Sequence, residues 1–143
     1  MLGYNADVIT IFTDGGARGN PGPAGSGAVV YQGKTKIAEV SEYLGHQTNN
    51  FAEYEALLLA LEAARAELGS PVTESVTVKM DSELIIRQMT GVYKVRNAVL
   101  KEKHTAAKLM IHESFPKIEF VHIRRELNTE ADALANEAMD RGA

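Results

Sequence analysis

The 143-residue chain has no cysteine and no tryptophan, only four prolines, and aromatic residues at 6%. Without cysteine there is no disulfide framework, no thiolate metal site and no cysteine nucleophile, so the fold rests on its own core in whatever redox compartment it occupies. That fits the cytoplasm. No apolar run approaches the roughly 20 residues of a membrane span; the longest runs from Ala56 to Leu61. Met1 to Asp7 has neither the basic region nor the apolar stretch of a leader, so secretion and membrane insertion are not expected. Repeats, low-complexity tracts and linkers are also missing, and a single domain over 1–143 is expected.

The net charge is −4, which disfavours long-range attraction of a polyanion. Its distribution is uneven. From Lys79 to Arg125 there are ten Lys and Arg against five acids, and the rest of the chain is acidic. Solvated helix faces produce the same asymmetry, so charge alone does not decide whether a polyanion is bound.

Periodicity divides the chain into strands and helices. Val8 to Thr13 is a β-branched and aromatic run stopped by Asp14-Gly15-Gly16, which reads as a buried strand ending at a turn. Gly15 to Gly27, with six glycines, Pro21 and Pro23, reads as a tight loop before a second strand, Gly27 to Tyr31. Gln32-Gly33 is a hairpin turn, and Lys34 to Tyr43 alternates as a third strand. Asn50 to Leu68 is a helix rich in Ala, Leu and Glu, stopped by Gly69-Ser70-Pro71. Then follow a strand from Ser75 to Met80, a short helix from Ser82 to Thr90-Gly91, a long helix from Asn97 to Phe115, a strand from Ile118 to Ile123 and a last helix from Thr129 to Arg141. The order βββαβααβα indicates one mixed α/β domain.

Four acids stand where burial disfavours them. Asp14 and Asp81 each follow an apolar strand, and ligands of open α/β sheets gather at the carboxyl ends of strands. Glu53 heads the helix stripe Leu57, Ala60, Leu61, Ala64 and Leu68, whereas Glu55 and Glu62 fall on the solvated face. Asp132 lies in the first turn of the last helix, beside the stripe Ala131, Leu134, Ala135 and Ala138. Any one of these acids has an ordinary reading as a turn residue or a helix-dipole partner. Four together without a cationic partner raise one another's pKa, an effect that divalent cations remove. Oxygen-only ligation suits Mg²⁺ or Mn²⁺. Two such ions, roughly 3.5 to 4 Å apart, activate a water and stabilise the leaving oxygen of a phosphodiester.

The segments from Thr13 to Gly25 (TDGGARGNPGPAG), Thr48 to Glu53 (TNNFAE), Asp81-Ser82 and Asn128 to Ala135 (NTEADALA) resemble ribonuclease H type 1, in the family's order and over nearly the whole chain. The first segment is highly specific; the isolated Asp-Ser pair is not. The resemblance implies the α/β ribonuclease H fold, a five-stranded mixed sheet ordered 3-2-1-4-5 with the second strand antiparallel and helices flanking it. It implies cleavage of the RNA strand of RNA/DNA hybrids to 5′-phosphate and 3′-hydroxyl ends, with two Mg²⁺ or substituting Mn²⁺ held by Asp14, Glu53, Asp81 and Asp132. Asn20 and Asn50 would contact the minor groove, where RNA displays its 2′-hydroxyls. Gly15 and Gly16 would admit the RNA backbone, and Thr48 and Asn49 would form part of a pocket for a DNA phosphate. Turn-making and helix capping are the ordinary roles of these Asn and Thr residues. An Arg common two positions before Thr48 is His46 here, which weakens that pocket at neutral pH.

Two departures from the family pattern are visible. The Trp- and Lys-rich basic protrusion of many bacterial members is replaced by Gly91 to Asn97, the compact form, leaving Lys94, Arg96 and Lys101 to compensate. The loop before the last helix, where many members carry a His, reads His122-Ile123-Arg124-Arg125-Glu126-Leu127-Asn128. His122 belongs to the fifth strand and Arg125 is the positional substitute, while His104 and His112 read as helix surface. A monomer acting on hybrids, and on double-stranded RNA as an open possibility, is expected. The rival readings are a hybrid- or double-stranded-RNA-binding module without metal, and a DNA resolvase or transposase core on the same fold. The acid set argues against the first, and Asn20, Thr48, Asn49 and Asn50 argue against the second.

Overall fold

The computed structural model describes residues 8–142, so the expected features of Met1 to Asp7 and the last residue of the expected domain lie outside the described residues. Five strands, β1 (Ile9–Ala17), β2 (Gly22–Gln32), β3 (Thr35–Gln47), β4 (Val76–Met80) and β5 (Ile118–His122), form one sheet. The order is β3-β2-β1-β4-β5. β2 is antiparallel to both neighbours, whereas β1–β4 and β4–β5 are parallel. The helices are α1 (Asn49–Leu68), α2 (Glu83–Met89), α3 (Ala98–Ser114) and α4 (Thr129–Gly142), with a 3₁₀ turn at Arg125–Leu127 before the last. No helix among the described residues is long and apolar enough to cross a membrane.

α1 begins at Thr48, whose hydroxyl accepts the Phe51 N–H, and ends at Gly69 in the left-handed region at φ 96°. Its stripe of Leu57, Ala60, Leu61 and Ala64 is buried in one cluster with Ile9 and Ile11 of β1, Ala28 and Val30 of β2, and Val76 and Val78 of β4. Removing these aliphatic faces from water is the main stabilising term of the domain. α3 packs outside α1, and α4 covers the opposite sheet face over β1, β2 and β3.

Four expectations need correction. Asp14, Gly15 and Gly16 do not end β1; the strand continues through them to Ala17, paired with β2 in unbroken register from Ile9↔Gln32 to Ala17↔Ala24. The run from Gly15 to Gly27 is mostly strand, its turn being confined to Arg18–Pro21. The glycines serve close approach: a Cβ on Gly15 would collide with the Ala52 backbone in α1, and one on Gly27 with the Ala131 carbonyl in α4. Glu55 is not on a solvated face but half-buried, paired at 2.8 Å with Lys103 of α3, whose ammonium lies 4.6 Å from the Phe51 ring centre. His104 is half-buried as well, its Nε2 3.1 Å from the Gln88 carbonyl oxygen, while Gln88 Oε1 accepts the Tyr54 hydroxyl at 2.6 Å.

Candidate active site

The parallel ladder between β1 and β4 ends at Phe12↔Lys79. Asp14 and Asp81 each stand two residues further on, so the same step carries both carboxylates past the last pair. Glu53 comes from the second turn of α1, which the missing side chain of Gly15 and the bond from the Ser26 hydroxyl to the Ala52 carbonyl (2.7 Å) hold close against the strands. One carboxylate oxygen each of Asp14, Glu53 and Asp81 lies within 4.8 Å of the others, Asp14 buried and the other two half-buried. Asp132 lies outside that trio, within hydrogen-bonding reach of Asp14 and facing the same cleft.

The electrostatics follow from burial and proximity. Burial first, then the charges of Asp81 and Glu53, then Asp132, push the Asp14 carboxyl up to about 8. Burial and Asp81 push Glu53 up to about 8, against the Ser82 hydroxyl, the Gly15 N–H and Arg125, which pull it down. Burial also raises Asp81, opposed by its own backbone, Arg125 and His122. Such a cluster is poor in positive charge and offers only hard oxygen donors, the set that Mg²⁺ or Mn²⁺ takes.

The cleft above the acids has a volume of about 670 Å³. One wall is the β5–α4 loop: His122, paired with Met80 across the parallel ladder, followed by Arg124 and Arg125. Arg125 is 81% exposed, with Nη2 4.0 Å from Asp132 Oδ1. The rest of the lining comes from the end of β1 (Gly15, Gly16), the β1–β2 turn (Arg18), the start of α1 (Asn49) and α4 (Asn136, Met139). Asn20 and Asn49 form a bonded chain: Asn20 Oδ1 accepts the Asn49 N–H at 2.9 Å, and Asn49 Oδ1 accepts the Ala17 N–H at 2.8 Å, while Thr48 caps α1 just before Asn49. Asn50 is half-buried in the first turn of α1, and His46 is exposed on β3. Lys94 and Arg96 are exposed in the 90–97 loop and do not line the cleft.

Sequence reasoning gave no role to Arg18, Asn136 or Asn128. Arg18 reaches α4, with Nη1 on Asp140 at 2.6 Å and Nη2 on Asn136 Oδ1 at 3.4 Å. Asn128 is buried under the loop and ties it to β1. Arg18 and Asn128 lie inside the motifs already recognised and Asn136 one residue beyond, but nothing in a linear motif separates a residue that packs from one that points into a cleft.

A 3-2-1-4-5 sheet with an antiparallel second strand, carrying converging carboxylates at the carboxyl end of its parallel centre, defines a protein of the ribonuclease H fold. The profile of the reverse-transcriptase-like family matches residues 12–138. A ribonuclease H1 isolated from compost by a metagenomic approach is 52% identical, with TM-score 0.90 over 95% of this chain and 98% of that one. Its crystal structure in complex with an RNA/DNA hybrid gives 0.88 at 51% identity, over 94% and 98%. A bifunctional protein of Mycobacterium tuberculosis is 43% identical over 94% of this chain and 36% of its own length. Ribonuclease HI of Halobacterium salinarum is 41% identical over 92% of this chain and 64% of its own. The chain spans about a third of the length of the first curated relatives, at 36%. It belongs to the ribonuclease H type 1 group of the reverse-transcriptase-like family, in the compact form: only residues 90–97 separate α2 from α3.

Proposed function

We propose that this protein hydrolyses the RNA strand of RNA/DNA hybrids to 5′-phosphate and 3′-hydroxyl ends, with two Mg²⁺, or Mn²⁺ in their place, held by Asp14, Glu53, Asp81 and Asp132. The observation that carries the reading is the convergence of Asp14, Glu53 and Asp81 within 4.8 Å, with Asp132 beside Asp14. The donors are all oxygen, and their raised pKa values mark an ionisation that burial and neighbouring acids disfavour and that a divalent cation would favour. Bound there, divalent ions lower the pKa of a water and neutralise charge on the leaving 3′-oxygen.

The chain's own residues do the rest. The parallel ladder and the Gly15 contact hold the carboxylates in place before substrate arrives, which is where electrostatic catalysis gains its advantage. Asn49 lines the cleft, Asn20 is bonded to it and Thr48 and Asn50 adjoin it in the chain, a set that fits recognition of the minor groove and of a DNA phosphate. The Gly15 and Gly16 backbone lines the cleft, and Gly16 has room where a side chain would stand. Arg125, which lines the same cleft, supports the phosphate by charge. All four acids come from one chain, which supports action as a monomer, and a cytoplasmic location belongs to the same proposal.

The test is gel analysis of labelled RNA/DNA, RNA/RNA, DNA/DNA and single-stranded RNA with Mg²⁺, Mn²⁺ or chelator, for wild type and Asp14→Asn. Metal-dependent cutting of the RNA strand of the hybrid, lost in Asp14→Asn while binding persists, is expected. Binding without cutting would make the protein a recognition module, and cutting of DNA/DNA would make it a resolvase-like nuclease. The RNA/RNA arm shows whether double-stranded RNA is also a substrate.

A further inference from the structure

Arg18 is built as a fixed base carrying a free arm. Its N–H donates to the Pro23 carbonyl at 2.8 Å, closing the β1–β2 turn. Gly22 packs against its carbonyl so closely that a Cβ there would collide with it. The neighbouring residues are held by Asn49 on one side and by the Asn20–Asn49 bond on the other. The backbone at Arg18 is therefore fixed, yet its side chain is 44% exposed at the rim of the cleft that contains the four acids. The guanidinium makes polar contacts with α4: Asp140 at 2.6 Å, and the Asn136 side-chain and carbonyl oxygens at 3.4 and 3.5 Å.

Asp140 is itself 68% exposed, and an ion pair that open to water gains little from staying closed. A phosphodiester oxygen presents the same geometry to a guanidinium as a carboxylate oxygen, and Arg binds both in bidentate fashion. Arg18, from the β1–β2 turn, lines the same cleft as the four acids and as Arg124 and Arg125 of the β5–α4 loop. We infer that Arg18 grips a phosphate of the bound RNA strand flanking the one held at the acids, and that Asp140 occupies its guanidinium as a phosphate mimic while the cleft is empty. The inference rests on the hybrid-cleaving reading and adds a contact to it. Asp140 then competes with substrate and holds the arm out of the cleft mouth, keeping a phosphate clamp without a protrusion.

The experiment is steady-state cleavage of an RNA/DNA hybrid with Mg²⁺ at several salt concentrations, for wild type, Arg18→Ala, Arg18→Lys, Asp140→Asn and the Arg18→Ala/Asp140→Asn double variant, with a thermal melt of each. Arg18→Ala is expected to raise KM by about fivefold or more, with most of the loss in KM, and to flatten the salt dependence by roughly one phosphate contact. Arg18→Lys keeps the charge and is expected to stay within about threefold of wild type. Asp140→Asn is expected to lower KM about twofold at low salt with kcat unchanged, an effect that disappears when Arg18 is also Ala. A pair that only fastens the turn to α4 would lower the melting temperature equally in Arg18→Ala and Asp140→Asn, and both would raise KM; that result overturns the inference. So does an Arg18→Ala variant with wild-type KM and salt slope. Failure of wild type to cut the hybrid strikes the catalytic reading instead, and is seen before any variant is compared.

Discussion

The buried amide of Asn128 donates from Nδ2 to the carbonyl oxygen of Thr13 at 2.8 Å, joining the loop before α4 to the strand residue that precedes Asp14. The same residue's N–H donates to the Arg125 carbonyl and its carbonyl accepts the Asp132 N–H. One residue thus links Asp14, Arg125 and Asp132, its side chain fastening to β1 the backbone that bonds the other two. Asn128→Ala strands a buried carbonyl, at a cost of about 1 to 3 kcal/mol, and should lower the melting temperature by roughly 3 to 10 °C. It should also reduce kcat about tenfold through misplacement of Asp132. Calorimetry and single-turnover cleavage read the two effects; an unchanged melting temperature would mean that the bond contributes nothing.

The raised carboxyls predict how the metal-free protein responds to pH. Asp14 and Glu53, at about 8 in the folded chain, stand well above their ordinary values of 3.8 and 4.5. The folded state therefore holds protons that the unfolded state has released. The stability is fully present below the ordinary carboxylate range and is lost as pH rises through about 8. In chelator, the melting temperature should fall steadily from about pH 5 to 8, and Mg²⁺ should restore it by more at the higher pH, because metal binding displaces protons. Asp14→Asn should reduce that slope. A melting temperature that rises with pH in chelator would show that the acids are ionised and compensated by the chain itself.

Arg125 is 81% exposed and 4.0 Å from Asp132, a geometry that leaves it free to meet phosphate. Arginine cannot shuttle a proton, so its contribution is electrostatic. Arg125→Lys should retain much of the activity, while Arg125→Ala should lose about tenfold to a hundredfold, or roughly 1.4 to 2.7 kcal/mol of transition-state stabilisation. Neither should move the profile of kcat against pH. A profile shifted by His122→Ala would instead give proton transfer to the histidine at the end of β5.

Lys94 and Arg96 stand exposed in the short α2–α3 loop, outside the acid cleft. Contacts from there to the hybrid would be uniform binding contacts remote from the chemistry. Replacing both with Ala should raise KM several-fold and leave kcat nearly intact, with a shallower salt dependence of binding. Unchanged KM in the double variant would place them off the substrate path.

What could be read from the chain depended on whether the signal was local. Glu53 heads an α-helical stripe, so its inward placement follows from spacing alone. The arrangement of the strands came through family resemblance, because periodicity identifies strands and says nothing of their neighbours. The Gly-rich run after Asp14 reads as a loop and is strand, since the residues that make turns are also those that let α1 and α4 lie on a strand. Spacing puts Glu55 in solvent because its partner, Lys103, is 48 residues away. The offset of Asp132 from the other three acids depends on how α4 is seated, which no spacing within the helix records.

The seat of α4 is itself decided by an atom that is not there. Gly27 is the cross-strand partner of Asp14, and the space a Cβ would fill at Gly27 is occupied by the carbonyl of Ala131, the residue just before Asp132. The helix is keyed to the sheet like a shaft to its hub: main chain against main chain, where no rotamer change gives slack. The separation between the first acid and the last is therefore gauged by backbone thickness alone, and a single methyl group at Gly27 would reset it as surely as a change to either carboxylate.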